Sequence, residues 1–292
     1  MTKNAFITIV GRPNAGKSSL LNALIGEKIA AVSSKPQTTR TKITGVLTKG
    51  EIQYVFIDTP GMHKSRDKLS EHMINAINSS VSSIDAALLV VDSQKKPGDA
   101  ERELLRSLKA SKAPVILVIN KIDLFDDKEL LIPVIKEYAS MYDFAEVIPI
   151  SAMNSDGLDI ILDVLSKYTT EGPHFFPDDK FTDQPERVII SEIIREKLLR
   201  TLNDEIPHGT AVVIEEFTEK PSIVIIRAEI YCEKESHKGI IIGKGGAELK
   251  KVGSWAREDL ESFLGVKVHL DLWVKVKENW RDRPTQIGRA HV

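Results

Sequence analysis

The chain has 292 residues, of which 42% are hydrophobic and 28% are charged, and this suffices for about two domains with buried cores. Lys and Arg number 40 against 42 Asp and Glu, so the net charge of −2 excludes a uniformly basic nucleic-acid coat and an acidic disordered tail. The single cysteine, Cys232, excludes a disulfide framework and a cysteine-based zinc finger, and we expect it to be structural. We find no signal peptide and no apolar run near the ~20 residues of a membrane span, which predicts a protein of a reducing compartment.

The first 170 residues alternate short apolar runs with helical patterns. Strands are predicted at 5–10, 54–58, 86–92, 114–120 and 146–150, and helices at 17–24, 68–80, 99–110, 128–141 and 157–168. Strands that are apolar on both faces are typical of a parallel sheet covered by helices on both sides. The alternation therefore predicts a doubly wound α/β domain with a mostly parallel sheet over residues 1–170.

A second domain is predicted after a break in this pattern. Residues 171–186 are rich in proline and lack periodicity, which indicates a linker. Residues 187–284 then read as an amphipathic helix, two strands, two helical segments around a glycine loop, and a strictly alternating strand. The expected order is α-β-β-α-α-β, an α+β domain. Its Trp255 and Trp273 are expected to pack in the core.

A phosphate-binding loop is predicted between the first strand and the first helix, where residues 11–18 read GRPNAGKS. The pattern G-x-x-x-x-G-K-[ST] lets backbone N–H groups and the helix N-terminus face a β-phosphate. Lys17 would reach the β- and γ-phosphates, and the Ser18 hydroxyl would bind Mg²⁺. The flanking strand and helix disfavour the alternative, a glycine-rich turn without a ligand. The predicted phosphate contacts are Gly11, Asn14, Ala15, Gly16, Lys17 and Ser18.

Two further segments are predicted to sense the γ-phosphate. Asp58 ends a strongly apolar strand and would hold Mg²⁺ through water, while Pro60 and Gly61 follow it in a D-x-x-G pattern that would place an N–H at the phosphate. The polar loop before the second strand offers Thr38 and Thr39 to complete the magnesium shell. For that loop, a merely solvated segment is the alternative.

The base is predicted to be guanine. The run NKID ends the strand at 114–120, and the Asp123 carboxylate can accept the N1–H and 2-amino hydrogens of guanine, which adenine does not supply. A Ser-Ala pair after the next strand offers a backbone N–H to the guanine oxygen. These elements resemble the signature of translation-factor-related GTPases and favour GTP over ATP. The predicted guanine contacts are Asn120, Lys121, Asp123, Ser151 and Ala152.

A nucleic-acid site is predicted at the glycine loop GKGG of residues 243–246. Small residues would let phosphates approach, and residues 236–257 hold five Lys or Arg against one Glu. A focused basic patch on a nearly neutral domain suits a groove better than bulk coating. A solvated helix face is the alternative. The predicted RNA contacts are Lys238, Gly243, Lys244, Gly245, Gly246, Lys250 and Lys251.

Together, the motifs resemble the TrmE–Era family of GTPases, in its branch with a C-terminal type II KH domain; they read QTTR at 37–40, DTPG at 58–61, NKID at 120–123 and GIIIGKGG at 239–246. In a KH domain the G-x-x-G loop clamps a single-stranded backbone. The resemblance implies a P-loop fold, GTP/GDP and Mg²⁺ as cofactors, and Thr39 in preference to Thr38 as the metal ligand. By the same resemblance, Asn14 could hold K⁺, and a role in stabilising the turn is the open alternative.

The resemblance also implies a biological role. It implies a monomeric GTPase that binds the 3′ end of small-subunit ribosomal RNA and assists small ribosomal subunit assembly. It further implies the bacterial cytoplasm, with peripheral association at the inner face of the cell membrane. A membrane or cell-cycle GTPase ranks last, because we find no lipidation signal and no strongly basic amphipathic helix.

Two departures qualify this hypothesis. Met62 stands where Ras-type enzymes carry a water-positioning glutamine, and a thioether cannot orient a water. An RNA-binding chaperone module with a mainly structural nucleotide is therefore the alternative function.

Residues 285–292 read TQIGRAHV instead of the family's leucine-rich ending, and the last seven match one reading frame of a common sequencing adapter. We expect that tail to be non-native.

Overall fold

The computed structural model describes residues 1–33, 35, 38–39, 42–59, 84–203 and 206–280. Two compact units divide the chain: the first holds most of residues 1–183, and the second holds residues from 184 onward together with the described part of Ala30–Thr38. The helix predicted at 68–80 and the tail at 285–292 lie outside the described residues.

The first unit is built on one sheet. Its strands are β1 (Lys3–Val10), β2 (Ile43–Lys49), β3 (Ile52–Asp58), β4 (Ala86–Asp92), β5 (Val115–Asn120), β6 (Glu146–Ile150) and β7 (Thr170–Glu171). The helices that the structure describes are α1 (Lys17–Ile25), α2 (Asp99–Ser111), α3 (Leu131–Ala139) and α4 (Leu158–Ser166). Within the described part the strand order is β2-β3-β1-β4-β5-β6, with β7 beside β1. The pairs that join β3, β1, β4, β5 and β6 are parallel, which confirms the predicted doubly wound fold.

The strand order explains where a ligand can bind. From β1 the chain continues to β3 on one side and later to β4 on the other, so β1 lies at the point where the winding direction changes. Ligands of open α/β sheets bind beyond the carboxyl ends of the strands at such a point. The loop that follows β1 is the predicted phosphate loop. Every position of β4 and β5 is buried, as the apolar runs predicted.

The strand β2 was not predicted from the sequence. It pairs antiparallel with β3 and lies at the edge of the sheet. Its sequence, ITGVLTK, mixes polar and apolar residues because the end of the strand emerges into solvent. A strand of this kind lacks the continuous apolar run by which the parallel strands were recognised.

The predicted linker begins with a segment that is bound to the first unit. Asn4 Nδ2 donates to the carbonyl of Pro173 at 3.0 Å, and Gln53 Oε1 accepts the N–H of Phe175 at 2.8 Å. The Phe175 ring meets the ring of Phe6 edge-on, with centroids 4.9 Å apart. These contacts extend the ordered part of the first unit beyond residue 170, while the exact limits of the two domains stay a prediction.

The second unit has the predicted order. Its elements are α5 (Glu186–Thr201), β8 (Ala211–Lys220), β9 (Ile223–Cys232), α6 (Glu235–Ile242), α7 (Ala247–Leu264) and β10 (Lys267–Val276). Among the described residues β9 lies between β10, which is parallel to it, and β8, which is antiparallel. The core contains Ile226 and Ile230 of β9 with Val252 and Leu260 of α7. Cys232 is fully buried, as expected of a structural cysteine.

Helix α5 was predicted as an amphipathic helix, but its charged face is buried as well as its apolar face. It is buried at every position from 188 to 199, charged residues included. Arg195 pairs with Glu192, and Lys197 pairs with Asp259 of α7. Because each of these buried cations has a carboxylate partner, the helix can be enclosed without leaving an uncompensated charge.

The prediction that Trp255 and Trp273 pack in the core is wrong. Trp273 is 65% exposed, because it alternates with the core residue Val274 and so lies on the outer face of β10. Trp255 is 40% exposed, since it points about 100° away from the buried position Ala256 around the helix. No helix in the described part of the chain is long and apolar enough to cross a membrane.

Candidate nucleotide site and nucleic-acid groove

The phosphate loop requires glycine at two positions because other groups approach its backbone closely. A Cβ at Gly11 would lie 2.2 Å from the carbonyl oxygen of Val90, and a Cβ at Gly16 would lie 2.0 Å from Asn120 Nδ2. Gly16 also has a φ of +98°, which L side chains rarely adopt. The loop therefore packs closely against Val90 of β4 and Asn120 of β5, and α1 starts directly after it.

Lys17 is held inside this loop. It is 5% exposed, and its Nζ donates to the carbonyls of Gly11 at 3.2 Å and Arg12 at 3.1 Å. Burial lowers the pKa of Lys17, and the nearby Asp58 carboxylate opposes that shift. A buried cation bonded to neutral carbonyls is poised for an anionic ligand, because a phosphate oxygen is a stronger acceptor than a carbonyl.

Three oxygen-bearing side chains converge beside Lys17. The Ser18 hydroxyl donates to Asp58 Oδ2 at 2.7 Å and lies 2.8 Å from the Thr39 hydroxyl, which is itself 3.4 Å from Asp58 Oδ2. Asp58 is fully buried, and burial raises its pKa against the opposing charge of Lys17. Within the described residues its Oδ1 has no hydrogen-bond partner. An unpartnered carboxylate oxygen beside two hydroxyls fits Mg²⁺, which is bound by few protein oxygens together with substrate phosphates.

The structure distinguishes between the two candidate threonines. Thr39 is 6% exposed and lies against Ser18 and Asp58. Thr38 instead belongs to the second unit, where its hydroxyl donates to the carbonyl of Lys35 at 2.6 Å. The arrangement therefore favours Thr39 as the metal ligand. The other γ-phosphate candidates, Pro60 and Gly61, and also Met62, lie outside the described residues.

Asn120 connects the phosphate loop to the predicted guanine site. Its Nδ2 donates to the carbonyl of Ala15 at 3.0 Å, and its Oδ1 accepts the N–H of Ala152 at 3.0 Å. Asp123 accepts the Ser151 hydroxyl at 2.5 Å, which orients the carboxylate. These contacts bring the ends of β1, β5 and β6 to one place, as the motif spacing predicted.

The structure adds two details to this site. The N–H of Ser151 donates to the Asp156 carbonyl, and the N–H of Ala152 donates to Asn120 Oδ1. In this structure they shape the loop instead of presenting a free donor. Lys121 has a φ of +71° and pairs with Asp92 at 2.7 Å, so its position depends on a residue at the end of β4 that the sequence did not single out.

The second unit contains a groove of about 490 Å³ between α7 and β10. Because β10 is the edge strand of the described sheet, its outer backbone N–H and C=O groups have no strand partner in that part of the chain. The groove therefore offers cations on one wall and backbone donors and acceptors on the other. The lining residues are Gly246, Leu249, Lys250, Gly253, Ser254, Arg257, Val268, His269, Leu270, Asp271 and Leu272.

The glycine loop at the end of this groove has a backbone that glycine favours. Gly243, Gly245 and Gly246 have φ values of +72°, +60° and +81°. A Cβ at Gly243 would also lie 2.7 Å from Glu248 Cγ. At Gly245 and Gly246 no atom of the described residues lies within 4 Å of such a Cβ, so this part of the chain leaves the space above the loop open to a ligand.

The structure brings only some of the predicted RNA contacts to the groove. Gly246 and Lys250 line it, whereas Lys238, Lys244 and Lys251 do not. Lys251 lies over the Trp255 ring, with its Nζ 4.8 Å from the ring centroid. Other residues of α7 also line the groove and were not predicted as RNA contacts, although they recur every three or four positions along one face of the helix. These additional helix residues are Leu249, Gly253, Ser254 and Arg257.

Comparison with known protein families agrees with this arrangement. A family described as 50S ribosome-binding GTPase matches residues 6–121, and a KH domain family matches residues 205–281. GTPase Era of Clostridioides difficile is 52% identical over 290 residues, which cover 99% of this chain and 98% of that protein. GTPase Era of Clostridium acetobutylicum is 49% identical, covering 99% and 97%.

Two solved structures are similar over nearly the whole length. One is an Aquifex aeolicus Era variant bound to GDP and aluminium fluoride, with a TM-score of 0.95, 37% identity, and 99% of each chain covered. The other is Era in complex with MgGDPNP and nucleotides 1506–1542 of 16S ribosomal RNA, with the same TM-score, identity and coverage. The sequence identity, the full-length coverage and the pairing of a GTPase domain with a KH domain place this chain in the GTPase Era family.

Proposed function

We propose that this protein is a GTP-hydrolysing switch that binds the 3′ end of small-subunit ribosomal RNA and assists assembly of the small ribosomal subunit. The observation that carries the proposal is the presence, in one chain, of a converged Lys17–Ser18–Asp58 cluster and a cationic groove beside a glycine loop. The solved Era complex with a 16S ribosomal RNA fragment supports the choice of RNA.

The nucleotide half of the proposal assigns one role to each group. Lys17 and the backbone of the phosphate loop bind the phosphates, Ser18 and Thr39 hold Mg²⁺ directly, and Asp58 holds it through water. The metal, when bound, neutralises charge that develops on the transferred phosphoryl group. Asp123 reads guanine through two acceptor oxygens, and Asn120 keeps the phosphate loop and the guanine loop in register.

The RNA half assigns backbone binding to the glycine loop and to Lys250 and Arg257. Phosphates can approach Gly245 and Gly246 because none of the residues that the structure describes crowds them. Bases would lie in the groove against the exposed edge of β10, where backbone groups and Asp271 can accept and donate hydrogen bonds. Single-stranded RNA is recognised in this way because its unstacked bases can enter a groove.

A pair of adjacent lysines provides the test. RNA copying nucleotides 1506–1542 of 16S ribosomal RNA is titrated with the parent protein and with Lys250→Glu and Lys251→Glu, and binding is followed by fluorescence anisotropy. The two variants carry the same charge change at neighbouring exposed positions, but only Lys250 lines the groove. We expect Lys250→Glu to weaken binding about tenfold and Lys251→Glu to change it less than threefold.

Either of two results would contradict the proposed RNA site. Equal losses in both variants would mean that RNA binds by diffuse electrostatics, and no loss in either would place the contact elsewhere. Parent protein that binds an unrelated RNA of the same length equally well would remove the assignment to the 3′ end.

The proposal also includes K⁺ binding by Asn14 and peripheral association with the membrane. Asn14 has a φ of +65°, a conformation that Asn and Gly tolerate, so Asn14→Gly removes the side-chain oxygen while keeping the turn accessible. If that oxygen holds K⁺, the variant loses any preference of GTP turnover for K⁺ over Na⁺; an unchanged preference would leave Asn14 a turn residue.

Peripheral membrane association rests on the family resemblance, and sedimentation with anionic lipid vesicles tests it.

A further inference from the structure

Arg12 is the second residue of the phosphate loop, and its side chain has no part in the nucleotide binding proposed so far. Arg12 extends from the loop and forms an ion pair with Glu101, the third residue of α2. The same carboxylate oxygen, Oε2, accepts the N–H of Gly98 at 2.9 Å, which caps the start of α2. Glu101 is 2% exposed. A carboxylate this deeply buried depends on such partners, because an unpaired charge is strongly disfavoured away from water.

Glycine at position 98 leaves room for the Arg12 side chain at the start of α2. Its φ of −145° and ψ of −164° are extended values that any residue adopts, so conformation alone does not demand glycine. A Cβ there, however, would lie 2.3 Å from Arg12 Nη2. The guanidinium thus occupies the space that a side chain at position 98 would need.

The main chain of Arg12 is tied to the phosphate-binding groups. Its carbonyl oxygen accepts Lys17 Nζ at 3.1 Å and the N–H of Ala15 at 3.4 Å. The side chain of Arg12 is therefore fixed to α2 while its backbone holds the lysine that faces the phosphates. Burial raises the pKa of Tyr138 of α3, and the charge of Glu101 raises it to a smaller degree.

We propose that Arg12 is a positioning residue of the nucleotide site: its pairing with Glu101 holds the phosphate loop in the shape that receives the β-phosphate, and so sets the affinity for guanine nucleotides. This inference rests on the proposed nucleotide site. The loop meets the β-phosphate of GDP and of GTP alike, so loss of the pair lowers both affinities together. Loss of an interaction that acts equally on the ground state and the transition state raises KM and leaves kcat unchanged.

The test compares three substitutions that reach the pair from different directions. Arg12→Gln removes the charge, Arg12→Lys keeps it, and Gly98→Ala displaces the guanidinium without altering the loop sequence. GDP affinity is measured by isothermal titration calorimetry, and GTP turnover is measured over a range of GTP concentrations. We expect Arg12→Gln and Gly98→Ala each to weaken GDP binding about tenfold with kcat within twofold of the parent. Arg12→Lys is expected to recover more than half of that loss on a logarithmic scale.

A destabilising variant of the same helix separates positioning from general stability. Leu108 is a fully buried core residue of α2 that lies outside the Arg12–Glu101 contact, and Leu108→Ala lowers stability through a cavity. Its GDP affinity is expected to stay within twofold of the parent. The double variant Arg12→Gln/Gly98→Ala is expected to bind GDP no more weakly than the weaker single variant, because both changes break one contact.

The outcomes are distinguishable. GDP affinity within twofold of the parent in Arg12→Gln overturns the inference, as does a loss in Leu108→Ala as large as the loss in Arg12→Gln. If the parent binds GDP and Lys17→Ala does not, the proposed nucleotide site stands whatever Arg12→Gln does. A parent protein that binds no GDP overturns the proposed site and this inference with it.

Discussion

In the part of the nucleotide site that meets the phosphates and the metal, Lys17, Thr39 and Asp58 are buried and hydrogen-bonded to neighbouring groups, whereas in the groove between α7 and β10 the cationic side chains reach into solvent. Lys17 and Asp58 are 5% and 0% exposed, and burial lowers the pKa of Lys17 and raises the pKa of Asp58. Lys250 and Arg257 are exposed. A site for a small anion with a metal can be organised in advance by a rigid loop, while a site for a long polyanion needs accessible charge along a surface.

The contrast predicts that the two sites respond differently to mutation, salt and stability measurements. Changes in the nucleotide site should act through single buried groups with large effects. Changes in the groove should act through several exposed charges with moderate, additive effects. The predictions below run from the largest expected effect to the smallest.

Lys17→Ala is expected to lower the affinity for GDP and GTP by at least 100-fold, because it removes the buried cation that faces the phosphates. RNA affinity should stay within twofold of the parent. Calorimetric titration with GDP and anisotropy with the RNA measure the two quantities on one preparation. Nucleotide affinity within tenfold of the parent would contradict the assignment of Lys17.

Asp123→Asn is expected to exchange the base preference. The carboxylate accepts two hydrogens of guanine, while an amide can donate to the 2-oxygen of xanthine, so GTP affinity should fall about 100-fold and XTP affinity should rise. Ser151, which donates to Asp123, remains in place to orient the amide. Competition of XTP and GTP against labelled GDP measures the exchange; a variant that weakens both nucleotides equally would show that Asp123 is structural.

In the unmutated protein, salt should weaken RNA binding much more than GDP binding. Release of counterions from about three neutralised phosphates gives a slope near −2 in a plot of log affinity against log salt, so RNA affinity should fall about 20-fold between 50 and 200 mM salt. GDP affinity should change less than threefold over the same range, since Lys17, the cation that faces its phosphates, is buried. Parallel slopes for RNA and GDP would remove the distinction between the two sites.

Asp58→Asn should make the nucleotide-free protein more stable, by about 1 kcal/mol. Burial raises the pKa of Asp58, which means that the fold disfavours its charged form, and an amide removes that charge. Lys250→Glu, at an exposed position, should change the free energy of unfolding by less than about 0.5 kcal/mol. Urea unfolding of both variants measures the difference. A destabilised Asp58→Asn variant would show that the buried carboxylate is compensated in the free protein.

The same contrast explains what could be predicted from the sequence. Motifs that follow apolar strands located Lys17, Ser18, Asp58 and Asp123, because the carboxyl ends of parallel strands meet at one edge of the sheet. The antiparallel edge strand β2 was missed because its polar residues break the apolar pattern. Local spacing could not reveal the pairing of Arg12 with Glu101, which joins residues far apart in the chain.

For the groove, the count of charged residues in the sequence identified the basic segment but not which of its side chains line the groove. Lys250 and Lys251 are equivalent in a count of charges, yet one lines the groove and the other lies over Trp255. Reading α7 outward from its buried positions, Val252 and Ala256, would have separated them, since neighbouring residues point about 100° apart on a helix. The burial of α5 could not be foreseen from local spacing, because the buried cation Lys197 also pairs with Asp259, which is distant in sequence.

Coupling between the two sites is tested by GTP turnover with and without RNA copying nucleotides 1506–1542 of 16S ribosomal RNA, measured in K⁺ for the parent, Lys250→Glu and Lys251→Glu proteins. We expect this RNA to stimulate turnover in the parent and in Lys251→Glu but not in Lys250→Glu at the same RNA concentration. Turnover that is unchanged by bound RNA would contradict a switch that links the two sites, and it would favour an RNA-binding chaperone whose nucleotide is structural.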